Sequence, residues 1–242
     1  MKNIIKYFGK ILLTLIVLLS IGGGLTGCSS DAEKIKSLQH LELFHPVKNV
    51  LVLGNSITLH GKCSYWWGEW GMAASEKAKD YVHIFENISK CKTDVMNYYQ
   101  WEIMHNDRAE TYNLIEPYFA RKYDLVVLQL GENISNTDTL EQDFCDLIKH
   151  IQGKLNDVRI IVLGNFWKNK KIEKIKQNVC DGKQVAYIDL GDLQDKQYSA
   201  GLGAEVKGDD GMTHIIEHKG VANHPGDRAM QIVAERIFAI IR

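Results

Sequence analysis

Short apolar runs recur along the chain and alternate with amphipathic stretches. Lys48–Gly54 (KNVLVLG), Asp124–Leu130 (DLVVLQL) and Arg159–Gly164 (RIIVLG) are apolar at consecutive positions rather than at every second one. Unbroken apolarity marks a strand covered on both faces, as in a parallel sheet. Gln184–Leu190 (QVAYIDL) offers a fourth strand, and the stretch around Asp94–Asn97 a weaker fifth. Between them lie helical candidates at Ser64–Lys79, Asp107–Arg121, Thr139–Leu155 and Lys168–Val179. A last helix is expected from Asp227, because Ala229, Ile232, Val233, Ile237 and Ile240 recur at helical spacing and form one sheet-facing stripe. Strand and helix in alternation are the pattern of βαβ units, so the expected class is an α/β sandwich with a mostly parallel sheet. In such a sheet the binding crevice lies beyond the carboxyl ends of the strands, and the chemistry is to be sought there.

The N-terminus reads differently. Lys2, Lys6 and Lys10 precede an uncharged run, Ile11–Ile21, that is short for a permanent membrane span and has the form of a secretory leader. Directly behind it, Leu25-Thr26-Gly27-Cys28 resembles the bacterial lipobox. That resemblance implies that Cys28 becomes the lipid-modified first residue of the mature chain. The expected organisation is therefore a leader at 1–27, a lipidated Cys28 with a polar tether at 28–46, and one domain at 47–242. The location implied is extracytoplasmic, lipid-anchored to a bacterial membrane on its periplasmic face or at the cell surface. An ordinary cleaved leader or an uncleaved anchor helix are the alternatives.

Composition narrows the partners. Of 242 residues, 45% are hydrophobic and 24% charged, and 29 Lys+Arg against 30 Asp+Glu leave a net charge of -1. This is an ordinary globular balance, with no basic excess to attract nucleic acid. Apart from Cys28, the cysteines are Cys63, Cys91, Cys145 and Cys180, with no spacing typical of a zinc site; they are open to disulfide pairing or to remaining free thiols. No metal is expected.

Three short segments carry the candidate chemistry. Gly54-Asn55-Ser56-Ile57-Thr58 follows the first strand and places a serine at a strand-to-helix turn, where a nucleophile would be exposed and its own N–H would face the crevice. A helix cap or a phosphate cradle are the other uses of such a turn, although a GxGxxG fingerprint is absent. Gly131-Glu132-Asn133 follows the third strand, and an amide there can donate to a developing oxyanion. Asn223-His224-Pro225-Gly226-Asp227 precedes the last helix; a histidine before proline is held in extended backbone, suited to projecting from a loop as a general base.

In this order the three segments resemble the blocks of the SGNH (GDSL-type) serine hydrolase superfamily, over essentially the whole domain. The resemblance implies a three-layer α/β/α, flavodoxin-like fold and ester hydrolysis without a cofactor. It assigns Ser56 as nucleophile, His224 as base, and Asn133 and the Ser56 N–H as oxyanion donors, with a backbone N–H near Tyr99 as a third. Two positions depart from the pattern. Tyr98 or Tyr99 stands where the family supplies a glycine, and Val221 stands where an aspartate three residues before the histidine would orient it. A backbone carbonyl in a Ser-His dyad, Asp209 or Asp210, or loss of activity are the competing outcomes, of which the dyad is favoured. His214, preceded by Asp210, is a rival base, and His214, His218 and His224 a generic metal-ligand set.

Trp66, Trp67 and Trp70 follow the nucleophile turn closely, either as a stacking platform for sugar rings or acyl groups or as packing anchors. With the expected location, they point to an acylated carbohydrate or a small ester as substrate, and to removal of short acyl groups such as acetyl. A non-catalytic glycan-binding lipoprotein on the same fold is the alternative function.

Overall fold

A computed structural model describes residues 46–183 and 185–242; the expected leader, Cys28 and the tether lie outside the described residues. The apolar runs become the strands of one sheet. These are β1 (Asn49–Gly54), β2 (Lys92–Asn97), β3 (Leu125–Gln129), β4 (Arg159–Leu163) and β5 (Ala186–Ile188). They run in the order β2-β1-β3-β4-β5, and every neighbouring pair is parallel. That order reverses direction between β1 and β3, which places a topological switch point, and so a crevice, at the carboxyl ends of those two strands.

The sheet is covered on both faces, which is why its central strands show no alternation. Val50, Val52, Leu125, Val127, Ile161 and Leu163 belong to one apolar cluster with helices α1 (Tyr81–Ser89) and α6 (Asp227–Ile241). Leu51, Leu53, Val126, Leu128, Ile160 and Val162 belong to the other, with α3 (Leu140–Lys154) and α4 (Lys170–Lys183). Two short helices, α2 (Tyr99–Ile103) and α5 (Lys219–Ala222), sit in the loops that build the crevice. An antiparallel hairpin, β6 (Glu205–Lys207) with β7 (Thr213–Ile215), stands apart from the main sheet. Among the described residues no helix is long and apolar enough to cross a membrane.

Two expected helices are absent. Between Ser64 and Lys79 the chain forms turns and isolated bridges, with only a single 3-10 turn at Lys77–Lys79, and α1 starts later. Gly68 explains part of this: a Cβ there would lie 2.1 Å from the Trp70 ring, so chain and indole pack too closely for a helix. Ala73 adds a left-handed residue at φ 75. The helix that does form is capped by the buried Asp80, whose carboxylate accepts from the His83 N–H at 2.7 Å and the Gly71 N–H at 3.0 Å. The stretch Asp107–Arg121 folds as 3-10 segments, His105–Leu114 and Glu116–Ala120. Its inward anchor is the buried Arg108, which bonds the Trp101 carbonyl, the Asn136 carbonyl and the Asp143 carboxylate. A guanidinium reaching α2, α3 and the loop before α3 replaces the apolar stripe that would have held an α-helix.

Candidate active site

The turn after β1 is fixed before any substrate arrives. The Asn55 carbonyl accepts from the N–H groups of Thr58 and Leu59, both at 3.0 Å, and the Asn55 side-chain oxygen accepts from the Ile57 N–H at 3.0 Å. Ser56 is thereby left at the crest, half-buried, with its hydroxyl in the crevice. Among the described residues no acceptor takes the Ser56 N–H, so that donor is free for a ligand.

Ser56 Oγ lies 2.8 Å from His224 Nε2, although the two are 168 residues apart. On its other side the imidazole is 2.7 Å from the Gly220 carbonyl. A carbonyl only accepts, so Nδ1 carries the hydrogen and Nε2 presents a lone pair to the serine hydroxyl. Burial pushes the His224 pKa down from 6.5 to about 4; His60 and His218 add to this, and the Gly220 carbonyl opposes it. The imidazole is therefore neutral at ordinary pH and competent to accept a proton.

The carbonyl is delivered by α5. His218 caps that helix, with Nδ1 accepting from the Val221 N–H at 3.4 Å, and the His224 N–H returns to the Val221 carbonyl at 2.9 Å. Val221 itself is fully buried in the core. Neither Asp209 nor Asp210 reaches His224. Asp210 pairs with His214 at 2.9 Å and also accepts the Met212 N–H, while Asp209 lies 3.6 Å from Lys62. His214, the rival base, is stacked on Trp67 with ring centroids 4.4 Å apart. His218 stacks on Tyr65 at 4.3 Å. The three histidines of the generic metal-ligand set are thus committed to separate partners.

Asn133 enters from the loop after β3. Gly131 opens that loop at φ +137, and a Cβ there would meet Asn165 Oδ1 at 2.5 Å, so glycine is required on both counts. The Asn133 amide donates one hydrogen to Glu102 Oε2 at 2.6 Å and has a second available. Tyr99 does not supply a third free donor. Its N–H is taken by Asn97 Oδ1 at 3.0 Å in a local side-chain turn at the start of α2, and the Tyr98 N–H is bonded to the Gly54 carbonyl.

Several residues of the site carried no sequence signal of their own. Trp167 packs edge-on against His224, with centroids 4.9 Å apart, and its Nε1–H donates to the Asn223 carbonyl at 3.0 Å. Glu132 is half-buried beside Asn133 and accepts from the Phe166 N–H at 2.7 Å and the Trp167 N–H at 3.3 Å, tying that wall to the Asn133 loop. Burial raises its carboxyl to about 7 against the attraction of Lys176. Lys176, itself pushed down to about 8 by burial, donates to the Leu130 carbonyl and Asn165 Oδ1, both at 2.8 Å. Of the indoles after Ser56, Trp66 and Trp70 are core anchors, and only Trp67 is left part-exposed. Cys63, Cys91, Cys145 and Cys180 are all free thiols.

No family model matches the sequence, and no curated protein matches it. Solved structures do resemble it. An active-site mutant of a family two carbohydrate esterase from Clostridium thermocellum, in complex with a cello-oligosaccharide, superposes with a TM-score of 0.52 at 16% identity over 81% of this chain. The match spans 64% of that protein's length. A protein from Bacteroides ovatus described as a GDSL-like lipase gives 0.52 at 13% identity, over 82% of this chain and 99% of its own. A two-domain esterase active on acetylated mannans gives 0.52 at 12% identity, over 86% and 52% respectively. The fold is accordingly the three-layer α/β/α sandwich of SGNH-type esterases.

Proposed function

We propose that the protein is a serine ester hydrolase that removes short acyl groups, acetyl foremost, from carbohydrate. The observation that carries this reading is the continuous chain Ser56 Oγ, His224 Nε2, His224 Nδ1 and Gly220 carbonyl, with distances of 2.8 and 2.7 Å at its two hydrogen bonds. In the reaction Ser56 Oγ attacks the acyl carbon while its proton passes to His224 Nε2. The Gly220 carbonyl holds the imidazolium through Nδ1–H, giving the geometric part of what a carboxylate does and less of its charge stabilisation. The oxyanion accepts from the Ser56 N–H and the second Asn133 hydrogen. His224 then returns its proton to the departing sugar oxygen, and water enters by the same base to release the acid and restore Ser56.

The carbohydrate part is supported by the exposed Tyr65 and part-exposed Trp67 rings, each stacked on one side by a histidine, and by the sugar-bound and mannan-active proteins among the structures with the same fold. The resemblance of Leu25–Cys28 to a lipobox supports an extracytoplasmic, lipid-anchored location. A second reading, glycan binding without turnover, draws on the engaged Tyr99 N–H, which leaves the oxyanion two donors.

The test is acetate release by a soluble chain beginning at Ser29, on a short-chain ester and a panel of acetylated polysaccharides, beside Ser56→Ala and His224→Ala. Both substitutions are expected to abolish release. Unchanged release in Ser56→Ala refutes the assignment, and glycan affinity in a folded protein with no release establishes the binding reading instead.

A further inference from the structure

Glu102 is fully buried at the floor of the crevice, on α2, and its carboxylate accepts from four N–H groups. Oε1 takes the Asn55 Nδ2–H at 3.1 Å, the Gly131 N–H at 2.5 Å and the Asn133 N–H at 3.4 Å, and Oε2 takes the Asn133 Nδ2–H at 2.6 Å. Those donors come from two loops, the one bearing the nucleophile and the one bearing the oxyanion amide. One buried carboxylate thus joins the halves of the site across the switch point.

Resting on the ester-hydrolase reading above, we propose that Glu102 is a positioning residue that locks the Asn133 amide with its nitrogen, not its oxygen, available to the oxyanion. An asparagine amide is close to symmetric in shape, and its two orientations differ only in where the donor points. A carboxylate has no hydrogen to offer, so the flipped amide would set Oδ1 against Oε2, lone pair against lone pair. The orientation with Nδ2 toward Glu102 is the one that leaves a second hydrogen for substrate. The same logic holds Asn55, whose Nδ2 faces Glu102 while its Oδ1 accepts the Ile57 N–H beside Ser56. A glutamine at position 102 could satisfy the three donors at Oε1, but its own NH2 would then face Asn133 and favour the flipped amide. The negative charge of Glu102 does not itself help the oxyanion, so the lock must outweigh a repulsion. That makes the sign of the substitution diagnostic.

The experiment is a double-mutant cycle of Glu102→Gln and Asn133→Ala with a short-chain ester, each variant checked for folding by its thermal melt. Glu102→Gln alone is expected to lower kcat about ten- to hundredfold, within the roughly hundred- to thousandfold that loss of a whole oxyanion donor brings, with KM within about twofold. In the Asn133→Ala background the same exchange is expected to change kcat less than about threefold, because there is no amide left to orient. The pH profile set by His224 is expected to keep its shape. Unchanged or increased kcat in Glu102→Gln, or effects that multiply in full, overturn the proposal. Nitrogen-15 spectra of the wild-type Asn133 side chain, assigned by its disappearance in Asn133→Ala, decide the matter without turnover or a folded Glu102 variant. One protected, downfield amide proton and one exchanging proton support the lock; two protons at ordinary amide shifts, both exchanging rapidly, refute it. Absence of esterase activity in the wild type would fail the ester-hydrolase reading alone, with the spectra still ruling on Glu102.

Discussion

Acid should disarm this site only far below the pH at which an ordinary histidine charges. The perturbation is pH, and the group is His224, whose burial lowers it from 6.5 to about 4. At pH 5 a base with a pKa of 4 is roughly nine-tenths neutral, whereas one at 6.5 is only about one-thirtieth neutral. The acid limb of kcat/KM, which reports the free enzyme, is therefore expected near pH 4, with little loss between pH 8 and 5. The assay is initial rates on a short-chain ester, corrected with Ser56→Ala as blank. Glu132, raised to about 7 beside Asn133, can add an inflection near neutrality; Glu132→Gln removes it and should leave the acid limb in place. An acid limb near pH 6.5 in both proteins would refute the reasoning. Stability follows with a definite sign. Above pH 6.5 neither state charges this imidazole, but between 6.5 and about 4 the unfolded chain takes up the proton first, so stability falls as pH falls. The full loss from this group is roughly 3 kcal/mol, and urea titrations of wild type and His224→Gln at pH 7 and pH 4 measure it as a difference.

Three further outcomes follow from the geometry. Gly131→Ala places a Cβ 2.5 Å from Asn165 Oδ1 at φ +137 and should cost about 1–3 kcal/mol in a urea melt, with a fall in kcat from the displaced Asn133 loop. Trp167→Phe keeps an aromatic ring beside His224 but loses the bond to the Asn223 carbonyl, and should cost about 1 kcal/mol and lower kcat more than it raises KM. Asp80→Ala strands the Gly71 and His83 N–H groups at the start of α1 and should lower stability by about 2 kcal/mol or more, measured by calorimetry.

What could be read from the sequence was what depends on local pattern. β1, β3 and β4 announce themselves because strands buried on both faces must be apolar throughout, and α6 because its stripe is regular and starts after Pro225-Gly226. The turn at Ser56 and the loop at His224 were legible through their neighbours, glycine before one and proline after the other, and the structure brings the two side chains together. The stretch Ser64–Lys79 misled because Trp66 and Trp70 are four apart, as on a helix, yet they are anchored by turns around Gly68. Glu102 was invisible for a different reason. A buried acid gains its meaning from donors at positions 55, 131 and 133, which no local window contains. Likewise the acceptor for His224 is main chain, and a sequence records side chains only.

That last point has a genetic side. In a site oriented by an aspartate, one codon change deletes the orienting group. Here the group belongs to the peptide backbone at Gly220; substitution of that residue leaves its carbonyl chemically intact and acts instead through space, since a Cβ there would lie 2.8 Å from the His218 ring. Fragility is transferred from the identity of one side chain to the path of α5 and the His218 cap that starts it. Position 221, relieved of holding a charge, is free to serve the core as valine. Loss-of-function variants at this end of the site should therefore be those that bend the chain, such as proline within Lys219–Ala222, rather than those that merely change what the chain carries.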